Sequence, residues 1–349
     1  MASLEDRLNK FIIIGENVHC SRRVKLDGPR CLKDGGNEYV VWRDGGAQRR
    51  MEIPEWFKKD NQHYNSGLVS HCHLAVEYGL RGEPVGAEYI TWVAKRQTAK
   101  GAGFLDVNID EVSPSLQKRL ESMAWIIPVA QKAAGKTPLS VDSSNTDTIL
   151  KGLEVYDYSQ STPMLNSVSL ERLDVVDVAT SRKLPVIVMA SGRTGMPHSV
   201  DERMENLTEM IGICRDKGIP DRHLYIDVLI YPKAAGAKEG LDGLLAMEEV
   251  RKTFGEEIHI AGGHSNFSFG MPLRHLINAV WLDLAIQRGC DSGIIDPITV
   301  DPNAIRKLDR NAPYYQRTSD MILNPDDENV MEYLGEARDG GIEDPFAGK

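Results

Sequence analysis

Short apolar runs recur along this chain at spacings that leave room for one helix between each pair. The runs are FIIIGEN (11–17), GFLDVNID (103–110), PLSVDSS (138–144), PMLNSVS (163–169), PVIVMAS (185–191), LYIDVLIYP (224–232), IHIAGGHSN (258–266) and SGIIDP (292–297). Each is rich in branched or apolar residues with little polar alternation, the pattern of a strand buried on both faces of a parallel sheet. Between them lie segments with helical spacing, clearest at 115–135, 202–218 and 272–289. The second follows Asp201, a residue suited to cap it, and the third opens with Pro272 near its first turn. Eight strand–helix alternations predict a single α/β domain folded as a (β/α)8 TIM barrel over residues 1–310. The rival is an open doubly wound sheet, but no G-x-G-x-x-G follows the first strand.

Two segments break the rhythm. After the first strand the next helix is expected only near Glu83, which makes residues 19–82 a long insert in the first βα loop, at the catalytic face of a barrel. Residues 21–60 carry ten Lys or Arg against seven acids, so the insert is basic within a chain of net charge -10. The segment 311–349 is acidic and rich in Gly, Pro and Asp, and reads as a C-terminal extension wrapped on the surface or partly disordered.

Composition excludes several classes. The net charge argues against nucleic acid as the main partner. No apolar run approaches the roughly 20 residues of a membrane span, and no leader pattern opens the chain, so a cytoplasmic protein is expected. Five scattered cysteines without a C-x-x-C pair predict reduced thiols. His71 and His73 would share a face if that segment were a strand. Adjacent His71-Cys72 and His19-Cys20 cannot both reach one ion, so no metal site is expected.

The strands turn polar at their C-terminal ends, which a barrel gathers at one mouth: Glu16 and Asn17, Asp106 and Asn108, Asp142, Asn166, Ser191, Asp227, Ser265 and Asn266, Asp296. Nothing there suggests a hydrolase: there is no Ser-His-Asp order, G-x-S-x-G, H-E-x-x-H or phosphate loop. Carboxylates and amides together suit a flat neutral heterocycle with N–H and C=O edges. The plainer reading is that Asp106 and Asn108 brace strand ends and that Asp142 caps the helix after Asp-Ser-Ser-Asn.

Taken in order, IIIGENV (12–18), GAGFLDVNID (101–110), LSVDSSN (139–145), MLNSVS (164–169), RTGMP (193–197), GIPDRHLYIDVLIYP (218–232) and GGHSNFSFGMPLRHLINAVWLDLAIQRGCDSGII (262–295) resemble the pterin-binding methyltransferases. The likeness is to methyltetrahydrofolate:corrinoid-protein methyltransferases and the folate domain of cobalamin-dependent methionine synthase. It covers the first strand and about residues 83–300. The resemblance implies that Asp142, Asn166 and Asp227 anchor a pterin, and that Asn266 reaches N5, the nitrogen bearing the methyl group. Asp106, Asn108 and Arg274 match family positions with less defined roles. It implies tetrahydrofolate or 5-methyltetrahydrofolate as substrate, with methyl transfer to or from a corrinoid (cobalamin) on a partner protein, direction open, and a homodimer by analogy. The glycines of GGHSNFSFG would let a flat ring approach the backbone.

Against the resemblance, compact members lack the insert. A docking platform, a lid and a subunit contact are the alternatives, its basic excess suiting an acidic partner or a polyglutamate tail. The alternative functions are a dihydropteroate synthase-like condensing enzyme and a non-catalytic pterin-binding subunit. A synthase would require basic residues after the seventh and eighth strands, where HSNFSFG and IIDPITVDP stand.

Overall fold

A computed structural model describes residues 3–59, 61–300 and 305–346. Eight parallel strands form one sheet: β1 (Ile12–His19), β2 (Phe104–Asn108), β3 (Leu139–Asp142), β4 (Met164–Val168), β5 (Val186–Met189), β6 (Leu224–Asp227), β7 (His259–Ala261) and β8 (Ser292–Ile295). Their order is β7-β6-β5-β4-β3-β2-β1-β8, with β1 and β8 in register from Ile12 opposite Ser292 to Gly15 opposite Ile295. A parallel bridge between Gly263 and Ile294 joins β7 to β8, and the Ile294 N–H donates to the Gly262 carbonyl at 2.9 Å. The sheet thus closes into the expected (β/α)8 barrel. Strands β2 to β5 are buried along nearly their whole length, as the unbroken apolar runs require.

The principal helices after successive strands are α1 (Pro84–Thr98), α2 (Leu116–Ala134), α3 (Thr146–Glu154), α4 (Asp174–Arg182), α5 (Val200–Asp216), α6 (Glu239–Phe254), α7 (Arg274–Gln287) and α8 (Pro313–Leu323). Two local expectations fail. Ser199, not Asp201, caps α5, because its side chain accepts the Glu202 N–H and Asp201 lies inside the first turn. Pro272 stands outside α7, whose first residue is Arg274 after Leu273 in a left-handed conformation.

Two compact units make up the chain. One holds the first half of β1 and β4 to β8 with their helices; the other holds the rest of β1, the insert, β2, β3 and α1 to α3. In the second unit the insert is ordered rather than a loop. Strands Cys31–Asp34, Asn37–Asp44 and Ala47–Glu52 form an antiparallel sheet. Gly35-Gly36 and Gly45-Gly46 make its two turns with positive φ at both residues, as two-residue I′ hairpins demand. Short helices at Glu55–Lys58 and Gln62–Asn65 and a longer one at His71–Leu80 precede α1, so helix begins well before Glu83. The longer one crosses α1 and α2 closely: a Cβ at Gly86 would stand 2.2 Å from the Ala75 carbonyl oxygen, and one at Gly79 would stand 1.9 Å from Trp125. His71 and His73 therefore lie on a helix, where residues two apart point away from each other. His71 is buried against Tyr89, and His73 lies against Phe57 and Glu77.

The C-terminal segment is helical, in α8 and at Asp327–Arg338. Asp283 of α7 is fully buried and takes two hydrogen bonds from Arg310, one from the Tyr315 hydroxyl at 2.6 Å and one from Gln287. Buried Lys233 donates to the carbonyls of Ala237, Ile322 and Asn324, satisfying acceptors at the end of α8. Acidic composition concealed this anchoring because the anchors themselves are few and polar. Among the described residues, no helix is long and apolar enough to cross a membrane.

Candidate active site

The ends of β2 and β3 carry one polar cluster. Asp106 and Asn108 are buried, and the Asn108 amide donates to Asp142 Oδ2 at 2.8 Å while its carbonyl accepts the Asp110 N–H at 2.9 Å. Asn108 thus braces its own strand end with one side of the amide and holds Asp142 with the other. Burial pushes the Asp142 pKa well up, and the Asp106 charge adds to it, against the opposing hydrogen bond from Asn108. The helix cap of α3 is Asn145, whose side chain accepts the Thr148 N–H at 3.0 Å, so capping does not occupy Asp142. Asp110 accepts from Ser143 at 2.5 Å and from the Ser144 N–H at 2.7 Å, which fixes the loop after Asp142.

His19 joins this cluster at the end of β1. Its Nδ1 accepts the Ser21 N–H at 3.1 Å, and burial lowers its pKa against the opposing charge of Asp106. In the sequence it stood only beside Cys20. Its position at a strand end was the usable signal.

In the other unit, Asn166 is buried within β4, level with Ile187 of β5, and the Asn166–Ser167 peptide is cis. Asp227 ends β6 with Oδ1 accepting the Leu229 N–H at 2.8 Å. Burial pushes its pKa up to about 6, opposed by that hydrogen bond and by Arg203. Arg203, from α5, is almost fully buried, donates to the Val228 carbonyl at 3.0 Å and supports the backbone beside Asp227. Nothing in the helical pattern of 202–218 distinguished it from a surface arginine.

The loop after β7 is pinned by its apolar members and presents its polar ones. His264 is buried, with Nδ1 accepting from Trp281 Nε1 at 3.0 Å, and burial lowers its pKa to about 4. It is a neutral structural imidazole with its proton on Nε2. Phe267 stacks on Trp281 at 4.1 Å between centroids. Arg274 donates to the Ser268 hydroxyl at 3.0 Å and the Ser265 carbonyl at 3.1 Å, so this guanidinium braces the loop. Between these fixtures Asn266 is exposed, and its side-chain amide has no hydrogen-bond partner among the described residues.

The two glycines before it make room for site side chains. A Cβ at Gly262, whose φ is +145°, would meet Ile230 at 2.8 Å and Asp227 Oδ1 at 3.1 Å; one at Gly263 would meet the Asn266 amide nitrogen at 2.9 Å. The close approach these glycines permit is that of Asp227 and Asn266. Among the described residues, no three His, Cys, Asp or Glu side chains come together to hold a metal ion.

The arrangement supplies hydrogen-bonding carboxylates and amides on strand ends, with no activated nucleophile. Comparison with known proteins agrees with that chemistry. Residues 87–296 match the family model described as pterin binding enzyme. The chain is 29% identical over 210 residues to a methylcorrinoid:tetrahydrofolate methyltransferase of Eubacterium limosum, spanning 59% of this chain and 74% of that protein. Among solved structures, a dihydropteroate synthase of Xanthomonas albilineans superposes with a TM-score of 0.51 at 17% identity, covering 86% of this chain and 92% of that one. One from Stenotrophomonas maltophilia gives 0.51 at 18%, covering 64% and 87%. At such identities the structural likeness speaks for the barrel alone. With the family model spanning 210 of its 349 residues, this chain belongs to the pterin-binding enzymes.

Proposed function

We propose that this protein transfers a methyl group between a corrinoid carried by a partner protein and N5 of tetrahydrofolate. The observation that carries the reading is Asn266: an unpartnered amide on a loop held rigid by Trp281, Phe267 and Arg274. The Eubacterium limosum relative, by its name a methylcorrinoid:tetrahydrofolate methyltransferase, favours transfer from methyl-corrinoid to tetrahydrofolate.

In this reading Asp142, Asn166 and Asp227 anchor the pterin, with Asn108 and Asp106 setting Asp142 and Arg274 positioning Asn266. A carboxylate accepting from a ring N–H and its neighbouring amino group makes a charge-assisted two-point contact. Beyond the Leu229 bond to Oδ1, Asp227 Oδ2 accepts no hydrogen bond among the described residues. In transfer to tetrahydrofolate the N5 lone pair attacks the methyl carbon, the Co–C bond breaks with its electron pair left on the cobalt of the second substrate as Co(I), and the N5 proton departs to solvent. The reverse step returns a proton to N5 as the C–N bond breaks. An amide is no acid, but its carbonyl accepts from N5–H as N5 turns cationic, and its NH2 donates to the lone pair that N5 recovers when the methyl group leaves. Asn266 therefore stabilises charge shifting at N5 in either direction, the differential binding that lowers a barrier. The cobalt that gives up or takes the methyl group is part of the second substrate, and a homodimer is expected from the family resemblance.

A condensing role like that of dihydropteroate synthase has less support. His264 is neutral and buried, and Arg274 is engaged with its own loop, so neither is free to receive a departing pyrophosphate after β7. The deciding experiment is anaerobic. Purified protein is mixed with tetrahydrofolate and methylcob(III)alamin, or 5-methyltetrahydrofolate and cob(I)alamin, and followed by corrinoid absorbance. Methyl transfer in either direction supports the reading. No transfer by a protein that binds folate, together with condensation from a pterin pyrophosphate, refutes it.

A further inference from the structure

Between the insert and α1 lies a cavity of about 440 Å³ whose charged lining is entirely cationic: Arg30, Arg43 and Arg96, with no Asp or Glu. Its volume lies in the range of small-molecule sites. Several other cations of the insert are paired with acids. Arg22 lies 2.9 Å from Glu16, Lys33 3.0 Å from Glu38, Arg50 3.0 Å from Asp34 and Lys58 2.8 Å from Glu55. Arg43 makes no side-chain ion pair or hydrogen bond among the described residues. Arg30 is held by Tyr89, yet its Nε is buried with no hydrogen-bond partner. An orphaned buried guanidinium N–H is costly unless something supplies an acceptor.

Trp92 touches all three arginine residues, two through the guanidinium and one through the backbone. Arg96 lies over its ring at 4.5 Å and Arg30 at 5.6 Å, while its indole N–H donates to the Arg43 carbonyl at 2.7 Å. Stacking fixes guanidinium planes and lowers the entropy lost when they bind. Planar forks suit the paired oxygens of carboxylate or phosphate.

We infer that this cavity is a binding site for a small polyanion bearing two or more carboxylate or phosphate groups. It is built from Arg30, Arg43 and Arg96 around Trp92. The inference does not rest on the proposed methyl transfer.

The test uses the full chain, with tryptophan fluorescence and titration calorimetry at low ionic strength. Tri-γ-glutamate and inorganic pyrophosphate are the two probes. The expected result is saturable binding of at least one, weakened by added salt. The affinity should fall by about tenfold or more in Arg43→Gln and in Arg96→Gln, each losing a charge-assisted contact. Tighter binding of tri-γ-glutamate identifies the source as an oligoglutamyl chain; tighter binding of pyrophosphate identifies a phosphate compound. Thermal melting establishes that the variants are folded, and exposed Arg43 also allows Arg43→Lys, which keeps charge without the fork. Absence of binding by both probes up to about 10 mM, a Kd limit weaker than any specific site, overturns the inference. Equal binding by wild type and both glutamine variants overturns it too, because the anion then sits elsewhere.

Discussion

Replacing Gly263 by alanine isolates the placement of one amide. The backbone there has φ -77° and ψ 77°, open to an L-residue, so the substitution adds little backbone strain. The new Cβ would stand 2.9 Å from Asn266 Nδ2, where ordinary contact begins at 3.4 Å, so the amide must retreat by roughly 0.5 Å. A misplacement of about 1 Å at a reacting centre costs on the order of 100-fold in rate. Half of that predicts a loss of about tenfold in the methyl-transfer step. Folate affinity should change less than about threefold, because the new Cβ meets Asn266 alone and none of the proposed anchors Asp142, Asn166 and Asp227. Since Asn266 is exposed, Tm should move by no more than about 2 °C. Single-turnover transfer under anaerobic conditions, with folate binding followed by fluorescence, measures both quantities. Wild-type transfer in Gly263→Ala would show that the placement of the Asn266 amide does not set the rate. A rate loss matched by equal losses of affinity and stability would show a disrupted loop instead.

Other perturbations separate anchors from braces. Gly262→Ala, strained by its φ and pressed on Ile230 and Asp227, should raise the folate Kd more than it slows transfer, read from the same two assays. Arg274→Ala frees Ser265 and Ser268 and should slow transfer by about tenfold with modest change in binding; Arg274→Lys should not restore both contacts. Asp227 carries a pKa raised by burial to about 6, so the ligand-free protein keeps this contribution below the unfolded value of about 4 and loses it as pH rises through 6. Asp227→Asn should therefore raise Tm at pH 8, by at most about 3 kcal/mol of stability, with the gain vanishing near pH 4 and folate binding lost. Arg310→Ala leaves the buried Asp283 carboxylate, among the described residues, with Tyr315 and Gln287 and should cost about 3 kcal/mol in denaturant unfolding. An unchanged midpoint would contradict an anchoring role for that contact.

Much of the barrel was legible because parallel strands buried on both faces leave continuous apolar runs, and each of the eight runs is a strand. The order of polar residues at their ends also identified Asp142, Asp227 and Asn266 as candidates. What the pattern obscured is instructive. Asp-Ser-Ser-Asn reads as a cap at either end, and only geometry assigns capping to Asn145. The glycine pair at 262–263 reads as access for a ring, while in the fold it clears space for Asp227 and Asn266. Arg203 and Arg274 are helix residues whose guanidiniums reach backbone carbonyls, contacts that no periodicity encodes. The insert announces its hairpins through two Asp-Gly-Gly turns, yet its strands are too polar to stand out as apolar runs. The helix at 71–80 was hidden by the same mixed composition, and α8 by its acidic neighbours.

The most direct test of the central claim is single-turnover methyl transfer by Asn266→Ala beside wild type, with folate affinity measured on the same samples. A loss of roughly 100- to 1,000-fold in the transfer rate is expected, the scale for removing one preorganised transition-state contact, with affinity nearly unchanged. Transfer by Asn266→Ala at the wild-type rate would contradict that claim.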